Sequence, residues 1–139
     1  MDALVVRYVA GLLFSEDGRR VALIRKARPE WQRGRLNGIG GHVEPGETDA
    51  AAMVREFREE TGATVDWTRF CTLRGRDWTV EWFKARGDVQ LRDQTDEHVA
   101  WFCLPDVLTG EASVIPNVRW LIMLALDKDN VQAVVDDPS

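Results

Sequence analysis

Residues 38–63 read GIGGHVEPGETDAAAMVREFREETGA, and this stretch decides how the rest of the chain is interpreted. It opens with glycines, whose missing side chains allow close backbone approach. Thr48 then offers a capping hydroxyl, and Gly62 offers the left-handed residue on which many helices end. The pattern predicts a strand and turn over residues 36–47, followed by a helix over residues 49–61.

Three glutamates share one flank of the predicted helix, since successive helix residues turn by about 100° and place them within an arc of about 100° beside the apolar stripe. Carboxylates three and four residues apart repel one another, and the helix dipole also disfavours negative charge near the C-terminus. A positive partner is therefore expected. The glutamates are Glu56, Glu59 and Glu60.

Two partners for these carboxylates are consistent with the sequence. One is the pair Arg55 and Arg58, on a solvated charged face. The other is Mg²⁺ or Mn²⁺, because hard carboxylate oxygens suit these ions while waters and substrate phosphates complete the coordination. The glycines at residues 38–41 expose carbonyls that can add further oxygen ligands. The second interpretation makes the loop and the helix one site.

The spacing resembles the signature of the Nudix hydrolases: Gly41, five residues, Glu47, seven residues, then REFREETGA over residues 55–63. The motif covers 23 residues, and the resemblance extends over residues 5–126. It implies an α/β fold, a Nudix α/β/α sandwich with a mixed β-sheet between helices. We expect one domain over residues 1–139, with a core at about 4–127 and a frayed C-terminal tail.

The other segments suit this fold. Apolar runs at residues 4–14 and 21–24 flank a Ser-Glu-Asp-Gly turn and predict a hairpin. β-branched and aromatic residues predict strands at 65–73, 79–86 and 99–104. Pro116 predicts the start of a second helix that runs through Asp127.

The resemblance also implies roles for individual residues. The metal ligands would be Glu56, Glu59, Glu60, the Gly40 carbonyl and Glu97. The catalytic carboxylates would be Glu56, Glu60 and Glu97, and Glu56 and Glu97 are the two candidates for the general base. Glu97 could instead be an exposed loop residue. The structural residues of the motif would be Gly41, Glu47, Arg55 and Gly62, with Glu47 and Arg55 forming an ion pair.

Substrate-binding residues are expected outside the motif. A basic loop provides Arg25 and Lys26, which could instead be solvated, and Asn37 lies just before the glycines. Asn117 lies where MutT-type relatives read a purine edge, although Asn is also a favoured helix cap. Trp31, Gly34 and residues 36–41 are similar to the lead-in of that subgroup.

The resemblance implies metal-dependent hydrolysis of a nucleoside diphosphate linked to another moiety. A nucleoside triphosphate, oxidised guanine (8-oxo-dGTP-like) included, would yield monophosphate and pyrophosphate. Alternative substrates are ADP-ribose, a dinucleoside polyphosphate or an RNA cap. The alternative class is a non-catalytic nucleotide sensor.

Composition limits the partners. The formal net charge is −5, which argues against a duplex nucleic acid partner. The first apolar run is interrupted by Arg7, so neither a membrane span nor a signal peptide is predicted. Cys71 and Cys103 are expected to be buried free thiols. A cytoplasmic monomer or homodimer acting on a small-molecule nucleotide is expected.

Overall fold

The computed structural model describes residues 4–130 and 132–137. These residues form eight strands and three helices, with a short 3₁₀ turn between β2 and β3. The strands are β1 (Val6–Phe14), β2 (Arg20–Arg25), β3 (Leu36–Asn37), β4 (Ile39–His42), β5 (Thr68–Arg74), β6 (Trp78–Arg86), β7 (His98–Cys103) and β8 (Ala133–Asp136). The helices are α1 (Asp49–Thr61), α2 (Leu104–Leu108) and α3 (Val118–Leu126).

The strands form one mixed sheet in the order β3-β2-β1-β6-β5-β8, with β4 also paired to β1 and β7 to β2. β1 pairs with β6 in parallel over its full length, and β5 pairs with β8 in parallel. β4 runs antiparallel to the middle of β1, with Val9 opposite Gly41 and Ala10 opposite Gly40. This pairing fixes the glycine-rich segment at the centre of the sheet, directly before α1.

The two faces of the sheet bury separate cores, because successive strand residues point to opposite faces. Val9 and Leu13 of β1 pack with Met53 and Phe57 of α1. On the other face Leu12 belongs to the core that α2 and α3 cover. The predicted α/β/α sandwich is confirmed.

Several boundaries differ from those expected. The strand predicted at 65–73 begins at Thr68, and the second predicted helix begins at Val118 rather than at Pro116. α2 was not predicted, because a five-residue helix carries too little periodicity to stand out. The prediction that both thiols are buried is wrong for Cys103, which is exposed at the end of β7, while Cys71 is buried.

The prediction of a frayed tail is also wrong within the described residues. β8 pairs with Cys71–Arg74 of β5, which satisfies backbone groups that a frayed tail would leave to water. Pro138 and Ser139 lie outside the described residues. No helix in residues 4–130 and 132–137 has both the length and the apolar character needed to cross a membrane.

Candidate active site

Helix α1 begins and ends on the residues that the sequence indicates. The Thr48 hydroxyl accepts a hydrogen bond from the Ala51 amide at 3.1 Å. Gly62 has φ 78°, and its amide donates to the Arg58 carbonyl at 2.8 Å. Residues close together in sequence therefore fix both ends of α1.

The glycines of β4 are required by close contacts. A β-carbon at Gly40 would lie 1.9 Å from the Val9 carbonyl oxygen, so only glycine fits against β1 there. A β-carbon at Gly41 would lie 2.5 Å from Cδ of Glu56. The Glu56 carboxylate thus occupies the space that a side chain at residue 41 would need.

Arg55 supplies the positive charge that the acidic flank requires. Its Nε and Nη2 donate to Glu47 at 2.7 and 2.9 Å, which forms the ion pair across the end of the loop. Nη1 donates to Glu56 at 3.0 Å and to Glu59 at 3.2 Å, and Nη2 also reaches the His42 carbonyl at 2.9 Å. One guanidinium therefore connects β4, the loop and α1. Its hydrogen bonds lower the pKa of the Glu47 carboxyl to about 2.

Two carboxylates of α1, those of Glu56 and Glu60, are half-buried. Desolvation raises the pKa of Glu56 and of Glu60 above the usual value, against the Arg55 and Thr95 hydrogen bonds that lower them. The charge of Glu59 adds to the rise at Glu56, and the charge of Glu97 adds to the rise at Glu60. These carboxylates therefore act on one another electrostatically.

Glu97 is buried, with 6% of the residue exposed, so the alternative of an exposed loop residue is wrong. Its carboxylate accepts hydrogen bonds from the Ala27 amide at 2.6 Å and from Lys26 Nζ at 3.2 Å. Thr95, which the sequence did not single out, donates to Glu60 and accepts from the Glu97 amide, each at 3.1 Å. These bonds place the Glu97 loop beside the end of α1.

The donor set fits a magnesium or manganese ion. Among residues 4–130 and 132–137, no three acidic, His or Cys side chains converge closely enough to enclose a metal. Magnesium keeps several waters and commonly takes a few carboxylates together with substrate phosphates, so a closed protein cage is not required. The all-oxygen donors of Glu56, Glu59, Glu60 and Glu97 match that chemistry.

Two of the residues expected to bind substrate, Arg25 and Asn37, make hydrogen bonds within the segment that connects β2 to β4. Arg25 Nη1 donates to the Gly34 carbonyl at 2.9 Å, and Asn37 bonds both Gln32 at 3.1 Å and the Gly38 amide at 2.8 Å. These two side chains therefore shape the loop between β2 and β4. Trp31 on the same loop is 61% exposed.

Asn117 occupies the position before α3 but does not cap it. Its backbone is helical, with φ −76° and ψ −14°, and its side chain makes no capping bond. Its Oδ1 is buried and has no hydrogen-bond partner among the described residues. Since the Ile115 amide donates to the Leu36 carbonyl at 2.9 Å, the segments that carry Asn37 and Asn117 lie side by side.

The sequence model of the NUDIX domain family matches residues 5–121, most of the chain. The chain belongs to the NUDIX family. A MutT-like protein of Streptomyces ambofaciens is 30% identical over 118 residues, covering 81% of this chain and 73% of that protein. A nudix hydrolase of Caenorhabditis elegans is also 30% identical over 118 residues, which cover 78% of this chain. The matched part spans only 32% of the nematode protein.

Solved NUDIX structures share the fold. A MutT structure from work on Aliivibrio salmonicida and Vibrio cholerae has a TM-score of 0.74 at 25% identity, covering 87% of this chain and 98% of that one. The NUDIX domain of Shewanella oneidensis NrtR, in complex with ADP-ribose, has a TM-score of 0.77 at 19% identity, covering 90% and 88%. The prediction of a Nudix hydrolase is thereby supported at the level of the family.

Proposed function

We propose that this NUDIX chain hydrolyses nucleoside triphosphates to nucleoside monophosphate and pyrophosphate with Mg²⁺, or Mn²⁺ in its place. The observation that carries the proposal is that Thr95 hydrogen-bonds both Glu60 and the backbone of buried Glu97, which links the Glu97 loop to the helix that also carries Glu56. Partly buried acids whose charges repel one another lower stability unless cations and phosphates complete the site. Acids retained at such cost fit a functional site.

Bound Mg²⁺ would neutralise phosphate oxygens and lower the pKa of the attacking water. Glu56, Glu59, Glu60, Glu97 and the Gly40 carbonyl would hold the metal. Arg55 orients two members of this set, Glu56 and Glu59, and is itself held by Glu47. A catalytic site needs such support, because an ångström of misplacement can cost about 100-fold in rate.

The proton of the attacking water goes to a glutamate, and Glu56 is the favoured base of the two candidates. Among residues 4–130 and 132–137, the Glu56 carboxylate accepts one hydrogen bond, from Arg55 Nη1 at 3.0 Å, which leaves lone pairs free to accept a proton. Glu97 accepts two hydrogen bonds from protein donors, which suits a metal ligand held in one orientation better than a proton acceptor.

Asn117 supports a purine triphosphate as the substrate. Its side chain makes no capping bond to α3, and an amide can both donate to and accept from a purine edge. The animal oxidised-nucleotide enzymes place a Trp and acidic pair in this loop, whereas Ile115, Asn117 and Val118 stand here. We therefore propose a purine triphosphate, with oxidised guanine as one member of the class.

A nucleotide screen with Mg²⁺ and with Mn²⁺ tests the proposal, with monophosphate, pyrophosphate and orthophosphate measured separately. Purine triphosphates should yield monophosphate and pyrophosphate. Orthophosphate plus a diphosphate as the main products would contradict the proposal. Turnover in ¹⁸O-labelled water then shows which phosphorus is attacked.

ADP-ribose is the second candidate substrate, because the NrtR domain of the same fold was solved with ADP-ribose. The same screen therefore includes ADP-ribose, a dinucleoside polyphosphate and capped RNA. Tight binding of ADP-ribose without turnover of any nucleotide would favour the sensor alternative over an enzyme.

The proposal includes a cytoplasmic protein that acts on free nucleotides as a monomer or homodimer. The net charge of −5 disfavours tight association with duplex nucleic acid or an anionic membrane. Light scattering gives the oligomeric state, and a duplex-binding assay at low salt tests the absence of nucleic acid binding.

A further inference from the structure

We propose that Lys26 is a positioning residue for Glu97 that acts as an internal counter-ion: it holds the Glu97 carboxylate in the metal-free protein and releases it when a divalent cation binds. This inference rests on the proposed function, since it takes Glu97 as a metal ligand. It gives Lys26 a role in addition to the substrate binding expected from the sequence.

The contact is buried and specific. Lys26 Nζ lies 3.2 Å from Glu97 Oε1, with 21% of the lysine side chain and 6% of the glutamate side chain exposed. The other carboxylate oxygen, Oε2, accepts from the Ala27 amide at 2.6 Å. The carboxylate is therefore oriented by two consecutive residues of the loop that follows β2.

Lys26 is the only cationic side chain that bonds Glu97 among residues 4–130 and 132–137. The positive charge of Lys26 also acts on Glu60, where it opposes the negative charge of Glu97. The ammonium thus lies among the carboxylates that the proposed function gives to the metal. An ammonium and a divalent cation in one small site repel each other, so they compete for the same oxygen.

The chemistry of the two cations makes exchange possible. A lysine ammonium is a compact charge on a flexible four-carbon stem, so it can leave the carboxylate without movement of the backbone. The Ala27 amide would still hold Oε2 after the lysine has left. Once free, the ammonium would lie at the edge of the site, where it could meet the phosphate chain that arrives with the metal.

The neighbouring Arg28 provides a matched control. Its guanidinium pairs with Asp96, and both side chains are more than 60% exposed. The charge of Arg28 is close enough to Glu97 and Glu60 for each to act on it, but it bonds neither. Arg28→Met therefore removes a nearby positive charge without removing a contact to the site.

The decisive measurement is binding of Mn²⁺ alone, followed by electron paramagnetic resonance of the free ion, with no nucleotide present. Lys26→Met should bind Mn²⁺ more tightly, by on the order of tenfold. The KM for the nucleotide should rise in the same variant. A purely structural lysine would give the opposite result for the metal, because a loosened loop would weaken Mn²⁺ binding as well.

Two further variants show whether the effect passes through Glu97. In a Glu97→Gln background, Lys26→Met should raise Mn²⁺ affinity clearly less than it does in the wild type, because the carboxylate for which the two cations compete is already gone. Lys26→Arg, which keeps a cation at the carboxylate, should restore an affinity near wild type. Arg28→Met should change Mn²⁺ affinity less than twofold.

Weaker or unchanged Mn²⁺ binding by a folded Lys26→Met protein would overturn the inference, as would the same gain in the Glu97→Gln background. Thermal melting without metal verifies the fold of each variant. The proposed function fails in a separate way, by the absence of metal-dependent nucleotide turnover in the wild-type protein.

Discussion

The Glu56 carboxylate lies against Gly41 so closely that a β-carbon at residue 41 would lie 2.5 Å from Cδ and 2.6 Å from both carboxylate oxygens of Glu56. Gly41 of the motif and Glu56 of the helix are therefore packed directly against each other. β4 can lie this close to the Glu56 side chain of α1 only because residue 41 has no side chain. The position of the Glu56 oxygens depends on it.

Gly41→Ala should lower kcat about 100-fold, because the new methyl group displaces the Glu56 carboxylate from the metal site. The displaced atoms are the far end of a flexible side chain, so the loss of stability should be small. Gly87→Ala is the matched control, since its β-carbon would meet no atom closer than 4.0 Å. Steady-state kinetics and thermal melting of both variants give the answer. Equal kcat values for the two would show that the contact has no catalytic importance.

Glu60→Gln and Glu59→Gln should each lower kcat by several hundredfold or more with the fold intact. A neutral amide keeps the volume of the side chain but removes the charge that holds a divalent cation. The melting temperature without metal should not fall much, because acidic repulsion is relieved. Activity close to wild type in both variants, with unchanged metal dependence, would exclude these carboxylates as the metal site.

Arg55→Lys should lower both the melting temperature and kcat, because an ammonium cannot bond Glu47 with two nitrogens and also reach Glu56 and Glu59. Loss of charge-assisted hydrogen bonds should lower the Tm by about 4–10 °C. Arg58→Lys, on the exposed part of the same helix, is the control and should change neither value. A similar small effect of both substitutions would mean that Arg55 is an ordinary surface arginine.

Ionisation of Glu60 and ionisation of Glu47 should change the stability of the folded protein in opposite directions. Burial raises the pKa of Glu60, so its ionisation costs stability at neutral pH, and that cost disappears as pH falls through the raised pKa. Without metal, Glu60→Gln should therefore melt above wild type at pH 7, with no difference remaining well below the ordinary pKa of 4.5.

Glu47→Gln should show the opposite sign. The Glu47 pKa of about 2 stabilises the folded chain above pH 4.5, and this contribution is lost as pH falls through 2. Glu47→Gln should therefore melt below wild type at pH 7. Melting curves from pH 2 to 8 in the presence of a chelator measure both differences. The same sign for the two variants at pH 7 would contradict the assignment.

Asn117→Ser tests whether the Asn117 side chain contacts the purine base. The hydroxyl is shorter than the amide, so kcat/KM for purine triphosphates should fall by the equivalent of about 1–3 kcal/mol, with little change for pyrimidine triphosphates. Because the Asn117 side chain makes no capping bond, the melting temperature should stay close to wild type. An equal loss of kcat/KM for every base, or no loss, would exclude Asn117 as the base contact.

Much of the candidate site could be predicted, because it depends on the spacing of residues that are close together in sequence. The spacing of Glu56, Glu59 and Glu60 along a helix with a Thr48 cap and a Gly62 end determines their common flank, because helix geometry leaves no other arrangement. The alternation and turn signals likewise indicated β1, β2 and β6 near their observed places. These features depend only on residues close together in sequence, and the family motif is itself of that kind.

The tertiary structure decided what depends on residues far apart in sequence. Glu97 is buried through Lys26 and Ala27, which are 71 and 70 residues away, and no periodicity reports such a contact. β8 forms because β5 offers it a free edge with which to pair. The short alternation of polar and apolar residues near the C-terminus does not reveal that such an edge is nearby. From the sequence alone, Asn117 could either cap α3 or bind a purine base. In the structure its backbone is helical and its side chain makes no capping hydrogen bond.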